Sequence, residues 1–281
     1  SDLRGVLPFL DHHFASIADA RRRHLAPGGV LIPQQDTMWA AIVSAPELFA
    51  GYVEPWEKYN YGFNMQAARK IVLNTWGKGR VEAEQLLTEP QSWAQLDYST
   101  IEAANISSDI NWKVAQAGEA HGLLVWFDTL LTTGVGFSNA PGGGATVYGS
   151  AFFPFLQPIQ LQVGDDAQVR IKANLVVDDY VWSWQTLIRE QGKAGAVKAQ
   201  FQQSTFFGVP LSSSQLRRRA SGFLPTLDEE GQVTQFVFAR MTGAISLGEI
   251  ADQLLAEFPS QFANHQAALA KLSELSQKYS R

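Results

Sequence analysis

The amino-acid sequence predicts an α+β fold in which the largest part is an antiparallel β-sandwich or β-barrel. Several runs in the middle of the chain alternate between apolar and polar residues, and turn residues separate these runs. Alternation with a period of two places one set of side chains in a core and the other in solvent. Helix-like patterns at both ends and in an inserted segment add the α component. The clearest alternating runs are residues 110–114, 159–163 and 169–175.

The first element is a predicted helix over residues 11–25. Its end carries three consecutive arginines, and cations are favourable there because they face the negative end of the helix dipole. Pro27 and the two glycines after it then stop the helix. Two strands are predicted next, over residues 30–33 and 37–43. Further along, the apolar run 121–131 predicts a buried strand.

A turn and an inserted segment interrupt the β pattern. The turn residues 164–166 separate two alternating runs and predict a β-hairpin. Residues 52–87 contain few alternating runs: they begin with aromatic residues and continue with helix-compatible stretches at 65–73 and 81–87. We therefore expect a helical arm inserted into the β domain. The aromatic residues of this arm are Tyr52, Trp56, Tyr59, Tyr61 and Phe63.

The C-terminal region, residues 195–281, changes character again. Residues 233–239 have the pattern of a strand. Ser246 and Glu249 form a capping box, in which each side chain accepts the backbone N–H of the other residue at a helix start. Two amphipathic helices follow, the second over residues 261–279. A strand with two amphipathic helices predicts a small winged-helix-like module.

Composition limits the classes of function. Hydrophobic residues make up 46% of the 281 residues, enough for a sizeable core, and no apolar run is long enough for a transmembrane helix. Cysteine is absent, which excludes disulfides, thiolate catalysis and cysteine-ligated metals. His12 and His13 are adjacent and cannot share a helix face, so we expect no metal site. The net charge of -5 argues against non-specific nucleic-acid binding. We expect a cytoplasmic protein with no membrane or nucleic-acid partner.

Several segments, in their order along the chain, resemble those of protein arginine methyltransferases. In that family two glutamates, nine residues apart, lie in a loop that precedes a helix, and here Asp2 and Asp11 hold those two positions. The resemblance covers roughly residues 1–190. The other similar segments are the passage from the cofactor domain into a β-barrel, a dimerisation arm and two barrel strands: residues 27–33, 56–65, 121–128 and 179–184.

This resemblance implies an α+β protein with a mostly antiparallel β-barrel and an inserted helical dimerisation arm. Residues 1–29 would be a short remnant of the cofactor domain, and residues 30–190 the substrate-side barrel, with the arm at about 52–87. Residues 195–281 would form the winged-helix-like module. The implied function is that of the C-terminal part of an S-adenosylmethionine-dependent protein arginine N-methyltransferase, serving substrate binding and dimerisation.

The resemblance also implies the residues of the site. Asp2 and Asp11 would be the catalytic pair, because two carboxylates can hold a planar guanidinium through paired N–H bonds and polarise its attacking nitrogen. Thr146 and Tyr148 fall in the family's Thr-His-Trp loop and would bind substrate. Val147 replaces the histidine of that loop, and each aspartate is one methylene shorter than glutamate. Asp11 could equally be an acid that the helix dipole favours at a helix start.

S-adenosylmethionine is the cofactor that the resemblance implies for the parent protein, with an arginine-containing protein or peptide as substrate and a homodimer as the assembly. The chain itself has no Gly-rich loop between a strand and a helix, and the glycines at 142–144 lack that context. We therefore expect no cofactor-binding residues, no tight binding of S-adenosylmethionine and no activity of this chain alone. The chain does not begin with methionine, and we expect the cofactor loop upstream of it.

Two alternatives remain open. The absent histidine and the shortened acids favour a non-catalytic scaffold that dimerises or binds peptides. They also permit a methyltransferase that acts on another amine, since two carboxylates can hold many cations. The sequence upstream of Ser1 would distinguish them, because a strand, a Gly-rich turn and a ribose-binding acid would indicate an enzyme.

Overall fold

The computed structural model describes residues 4–59, 61–102, 105–143, 146–192, 196–209, 212–218 and 220–280. The chain divides into two compact units, Ser1–Pro210 and Leu211–Arg281. No helix among the described residues has both the length and the apolar character needed to cross a membrane.

The first unit contains most of the regular structure. Its helices are α1 His13–His24, α2 Pro46–Lys58 and α3 Gln66–Val72, with short 3-10 turns at Ala83–Gln85 and Thr205–Phe207. Its strands are β1 Gln35–Val43, β2 Gly77–Gly79, β3 Gln91–Asp97, β4 Ile106–Lys113, β5 Gly118–Thr132, β6 Val135–Ser138, β7 Ser150–Leu161, β8 Asp166–Val176, β9 Asp179–Arg189 and β10 Val197–Ser204.

The strands form two antiparallel sheets. The first has the order β2-β7-β5-β1-β3, with β6 paired to β5, and the second has the order β10-β9-β8-β4. No strand of one sheet pairs with a strand of the other within the described residues, so the closed barrel implied by the resemblance is not seen. Phe9 packs against Trp93 of β3 and Trp182 of β9, with ring centroids 5.9 and 5.1 Å away. The two sheets therefore share one core with the N-terminal segment inserted between them.

Most of the strands predicted in the first unit are confirmed, and two predicted elements are wrong. The apolar run around Trp126 is the buried strand β5, and the alternating runs lie in β4 and β8. The predicted hairpin at 164–166 is wrong, because β7 pairs with β5 while β8 pairs with β4 and β9. The predicted strand at 30–33 is wrong as well: pairing begins at Gln35, and Pro33 has no N–H to donate.

Buried Asp165 explains why the turn passes from one sheet to the other. Its carboxylate accepts the backbone N–H groups of Gln162 and Gln191 and pairs with Lys198 Nζ at 2.7 Å. These bonds hold the turn against the end of β9 and against β10, which lie in the second sheet. The strands that pair with β7 lie in the first sheet. Strand β10, which the sequence places in the C-terminal module, pairs with β9 and belongs to the second sheet.

The inserted segment is helical, as predicted, in two of its parts. Helix α3 corresponds to the predicted stretch at 65–73, whereas the stretch at 81–87 has only the 3-10 turn Ala83–Gln85. Helix α2 begins earlier than the predicted arm and packs on the first sheet through Phe49 and Val53. The arm is therefore anchored on β1 and β5 at its start.

The second unit consists of helices over its described residues. These are α4 Ser213–Arg218, α5 Glu229–Phe238, α6 Leu247–Glu257 and α7 His265–Tyr279. The predicted strand at 233–239 is wrong: Val233 and Val237 are four residues apart, share one helix face and join the helical core. With that strand absent, the winged-helix form is not confirmed. The capping box is confirmed, since the Ser246 N–H donates to Glu249 Oε2 at 2.8 Å.

Candidate functional site

A buried arginine fixes the N-terminal segment to the first sheet. The Arg4 side chain is 2% exposed, and its guanidinium donates to Asp36 Oδ1 at 2.9 Å and to Thr129 Oγ1 at 2.6 Å. Asp36 lies on β1 and Thr129 lies opposite it on β5. One side chain therefore ties the segment that precedes α1 to two neighbouring strands.

Aromatic rings enclose the same guanidinium. The Arg4 guanidinium carbon lies 5.5 Å from the Phe127 ring centroid, 5.3 Å from that of Phe137 and 6.0 Å from that of Tyr148. Phe137 and Tyr148 are stacked, with centroids 5.4 Å apart and ring planes at 11°. We call this arrangement the Arg4 cage; it consists of Asp36, Thr129, Phe127, Phe137 and Tyr148.

Asp36 is the centre of a hydrogen-bond network. Its carboxylate accepts from Arg4, from the Thr129 hydroxyl at 2.6 Å and from the Tyr98 hydroxyl at 2.6 Å. Burial raises the pKa of the Asp36 carboxyl, while these hydrogen bonds and the Arg4 charge oppose that rise. The Tyr98 hydroxyl also contacts His13 Nε2 at 3.3 Å. A continuous series of contacts thus joins the first turn of α1 to the Arg4 cage.

Asp11 lies just before α1 on the surface. Its backbone φ of 42° is in the left-handed region, which Asp tolerates better than most residues. The adjacent His12 contacts Asp178 Oδ1 through Nε2 at 2.9 Å, so the turn between β8 and β9 meets the start of α1. Asp2, the other predicted carboxylate, lies outside the described residues.

The two residues predicted to bind substrate have different surroundings. The Thr146 carbonyl accepts from Arg80 Nη2 at 2.7 Å, and the Val147 carbonyl accepts from Lys78. The half-buried Tyr148 ring contributes instead to the Arg4 cage. Tyr148 is therefore next to a guanidinium, and that guanidinium belongs to the chain itself.

Sequence reasoning missed the charged pair at the centre of this site. Arg4 and Asp36 are 32 positions apart, and although Arg4 lies in the segment that resembles the double-acid loop, the resemblance gives neither residue a role. The only signal in the sequence was that each is a charged residue in or beside a segment predicted to be ordered: Asp36 directly precedes the predicted strand at 37–43, and Arg4 precedes the predicted helix at 11–25. Charged groups are rarely buried without a partner, which would have suggested pairing them.

His121 lies in the core of the first unit. It is 4% exposed, and its Nδ1 accepts the Ala45 N–H at 3.3 Å. Burial lowers the pKa of its imidazole, and the charge of nearby Glu119 partly opposes this. The described residues contain no cluster of three or more His, Cys, Asp or Glu that could hold a metal ion.

The aromatic residues of the arm separate into two groups. Tyr52 is half-buried and packs against Phe152 of β7. Tyr59, Tyr61 and Phe63 are 66%, 87% and 72% exposed, respectively. The end of α2 and the turn after it therefore carry a large apolar surface in solvent.

A match to a known protein family identifies the family of this chain. The arginine methyltransferase oligomerization subdomain matches residues 34–186, from the start of β1 into β9. The chain belongs to this family. The matched residues include the first sheet, the inserted arm and the second sheet except β10 and the end of β9, and the match confirms the resemblance to protein arginine methyltransferases.

Curated relatives are similar over part of their length. A probable protein arginine N-methyltransferase 6 from Arabidopsis thaliana is 25% identical over 135 residues, which is 46% of this chain and 31% of the relative. Protein arginine N-methyltransferase 1 from Chlamydomonas reinhardtii is 23% identical over 158 residues, which is 54% of this chain and 46% of the relative. The match thus spans less than half the length of each of these two proteins.

Two solved structures have a similar fold. One is the enzyme–prozyme heterotetrameric complex of protein arginine methyltransferase 1 from Trypanosoma brucei with AdoHcy, with a TM-score of 0.62 and 18% identity. The match covers 73% of this chain and 66% of that chain. The other is protein arginine methyltransferase 10 from Arabidopsis thaliana, with a TM-score of 0.59 and 19% identity, covering 73% and 68%.

Proposed function

We propose that this chain is the acceptor-side and oligomerisation part of an S-adenosylmethionine-dependent protein arginine N-methyltransferase-like protein. The observation that carries the proposal is the family match over residues 34–186, which includes the arm, the first sheet and most of the second. The curated relatives carry the name protein arginine N-methyltransferase, which supports the same reaction class. The substrate would be an arginine-containing protein or peptide.

Homodimerisation through the arm is the structural part of this proposal. Exposed aromatic side chains in one short stretch usually mark an interface, because burying them against a partner removes apolar area from water. Tyr59, Tyr61 and Phe63 form such a stretch. The similar structure of the Trypanosoma brucei protein is a heterotetrameric complex, which supports oligomerisation in general.

The acceptor site is the chemical part of the proposal. We propose Asp2 and Asp11 as the carboxylates that hold the substrate cation, with Thr146 and Tyr148 beside the entrance. Asp11 is exposed at the start of α1 and is available to an incoming cation. A carboxylate there would accept the N–H bonds of a guanidinium and favour its cationic form.

The described residues do not fit S-adenosylmethionine. A nucleotide cofactor of this kind is usually held where a Gly-rich turn leads from a strand into a helix. Gly142 and Gly143 instead lie between β6 and β7, which are both strands. The cofactor would therefore be held by the rest of the parent protein.

A non-catalytic scaffold is the second candidate, and one observation favours it. Val147 stands where the family has histidine, and its neighbour Tyr148 packs on Arg4. A transferase for another amine is the third candidate. The proposal is tested by incubating the full-length parent with methyl-labelled S-adenosylmethionine and either an arginine-rich peptide or a panel of small amines. Label on arginine supports the main proposal, label on the amines supports the third candidate, and label on neither supports the scaffold.

A further inference from the structure

We propose that the Arg4 cage is a guanidinium-binding site that the chain fills with its own side chain, and that Arg4 thereby closes this site to an arginine substrate. Arg4 would then be a residue that determines which acceptors the protein can hold. The inference goes beyond the proposed function, because occupancy of the cage can be measured on this chain without any methyl transfer.

The buried Asp36 carboxylate of the Arg4 cage requires a positively charged partner. Asp36 is 0% exposed, and a buried carboxylate is strongly unfavourable without a partner of opposite charge. Thr129 and Tyr98 supply hydroxyl hydrogen bonds, but Arg4 supplies the positive charge. If the Arg4 side chain were removed, the same carboxylate would present an acceptor with its two hydroxyl donors already in place.

The walls of the cage suit a planar cation. A guanidinium is weakly hydrated and binds against aromatic ring faces, so three rings around it contribute attraction as well as apolar contact. Phe127, Phe137 and Tyr148 all approach the Arg4 guanidinium to 6.0 Å or less. The stacking of Phe137 on Tyr148 fixes the orientation of two of these rings.

Occupation by Arg4 leaves little room for a second cation. Arg4 as a whole is 6% exposed, so its side chain fills the space that Asp36 and the rings define. Tyr148 belongs to the cage, while the adjacent Val147 is 81% exposed, which places the cage beneath the surface loop at 146–149. A substrate guanidinium could contact Asp36 only after Arg4 had left. With Arg4 in place, substrate would be held outside the cage.

The decisive experiment restores the missing group with a small molecule. Arg4→Ala retains Cβ, and ethylguanidinium supplies every atom that the substitution removes. We expect ethylguanidinium at millimolar concentration to bind the Arg4→Ala chain in a calorimetric titration and to raise its Tm by about 2–4 °C. The wild-type chain, whose cage is full, should show neither binding nor a shift in Tm.

Three controls separate the cage from general effects of the ligand. Ethylammonium has the charge without the planar fork and should shift the Tm of Arg4→Ala far less. Arg21→Ala removes another partly buried arginine, one that donates to the carbonyls of Tyr98 and Ile101, and should not respond to ethylguanidinium. Adding Asp36→Ala to Arg4→Ala removes the carboxylate and should abolish the response.

The proposal can still be tested if the Arg4→Ala chain does not fold. If Arg4→Ala is unfolded, ethylguanidinium should restore its far-ultraviolet circular dichroism, whereas the double variant with Asp36→Ala should not respond. An Arg4→Ala chain that ethylguanidinium neither binds nor refolds would overturn the proposal. Equal binding to the wild-type chain would overturn it too, because the cage would then not be filled by Arg4.

Discussion

At the scale of single residues, the site is organised by charges that the fold has removed from water. The Arg4–Asp36 pair has side-chain exposures of 2% and 0%, and both ions depend on each other and on the hydroxyls around them. Removing one member of such a pair typically costs about 3–5 kcal/mol, because the other charge is left buried and uncompensated. This pair therefore fixes the position of the segment that leads to Asp11.

Asp11 is the residue on which the proposed chemistry depends. We expect Asp11→Asn in the full-length parent to lower turnover on an arginine-rich peptide at least about tenfold, because the amide removes the negative charge and turns an N–H₂ donor toward the substrate cation. The Tm should remain unchanged, since asparagine also tolerates the left-handed backbone at this position. Turnover and a thermal melt of each variant are the measurements.

Asp19→Asn is the matched control for this substitution. Asp19 is also an exposed acid, on the helix that follows Asp11, where it pairs with Arg23 at 3.4 Å. Its replacement should leave turnover unchanged. Unchanged turnover in Asp11→Asn would remove Asp11 from the site, and a large fall in Tm with a proportionate loss of activity would indicate that it only supports the helix start.

His121 should make stability dependent on pH. Burial lowers its pKa in the folded chain, while in the unfolded chain the value is about 6.5. The unfolded state therefore binds more protons as the pH falls below about 6.5, so the free energy of unfolding decreases on acidification. We expect the fall in Tm between about pH 7.5 and 5.5 to be smaller in His121→Gln than in the wild type. The exposed His24→Gln should retain the wild-type slope; equal slopes in all three chains would contradict the prediction.

At the scale of elements, the burial and position of each segment depend on the segments that it pairs with or packs against. The 15-residue strand β5 is buried over most of its length because it pairs with both β1 and β7 in the middle of the first sheet. Helix α2 is held by Phe49 and Val53, while its far end carries exposed aromatics. Because α2 is anchored on the first sheet at one end and followed by exposed aromatic residues at the other, it is suited to contact a second protein chain.

The arm should therefore control self-association. We expect the double variant Tyr59→Ala and Phe63→Ala to weaken dimerisation of the full-length parent at least about tenfold, because aromatic anchors dominate interface energetics. Sedimentation equilibrium over a range of concentrations measures the change. The control is Phe206→Ala with Phe207→Ala, two rings that are 59% and 60% exposed outside the arm. An effect of equal size in the control would argue against a specific role for the arm.

At the scale of the whole molecule, the chain consists of two units with separate cores. The core of the first lies between and around its sheets, and the core of the second is formed by helix faces that include Val237, Leu254 and Leu272. In the described residues neither core includes a Gly-rich turn from a strand into a helix. The cofactor chemistry of the proposed enzyme would thus depend on the rest of the parent.

Calorimetry can test that dependence directly. We expect titration of this chain with S-adenosylmethionine to show no binding with micromolar affinity, whereas the full-length parent should bind if it is an enzyme. The reason is that the glycines at 142 and 143 lie between two strands and offer no helix N-terminus to a nucleotide. Micromolar affinity of the chain alone would contradict the prediction.

The sequence by itself determined the features whose signals are local. The alternation in β4 and β8, the apolar run of β5 and the capping box at Ser246 each depend on a few adjacent residues, and each appears as predicted. The motifs that resemble protein arginine methyltransferases also lie within short segments, and the family match over residues 34–186 confirms the family they indicate.

Only the tertiary structure decided which segments meet. The turn at 164–166 joins two sheets because Asp165 binds β10, and residues 233–239 are helical because Val233 and Val237 face a helical core. The Arg4 cage gathers residues from positions 36 to 148 around Arg4, and no local pattern relates them. Strand pairing and burial of charge depend on the packing of distant segments, so the same short sequence can satisfy more than one local structure until its neighbours are in place.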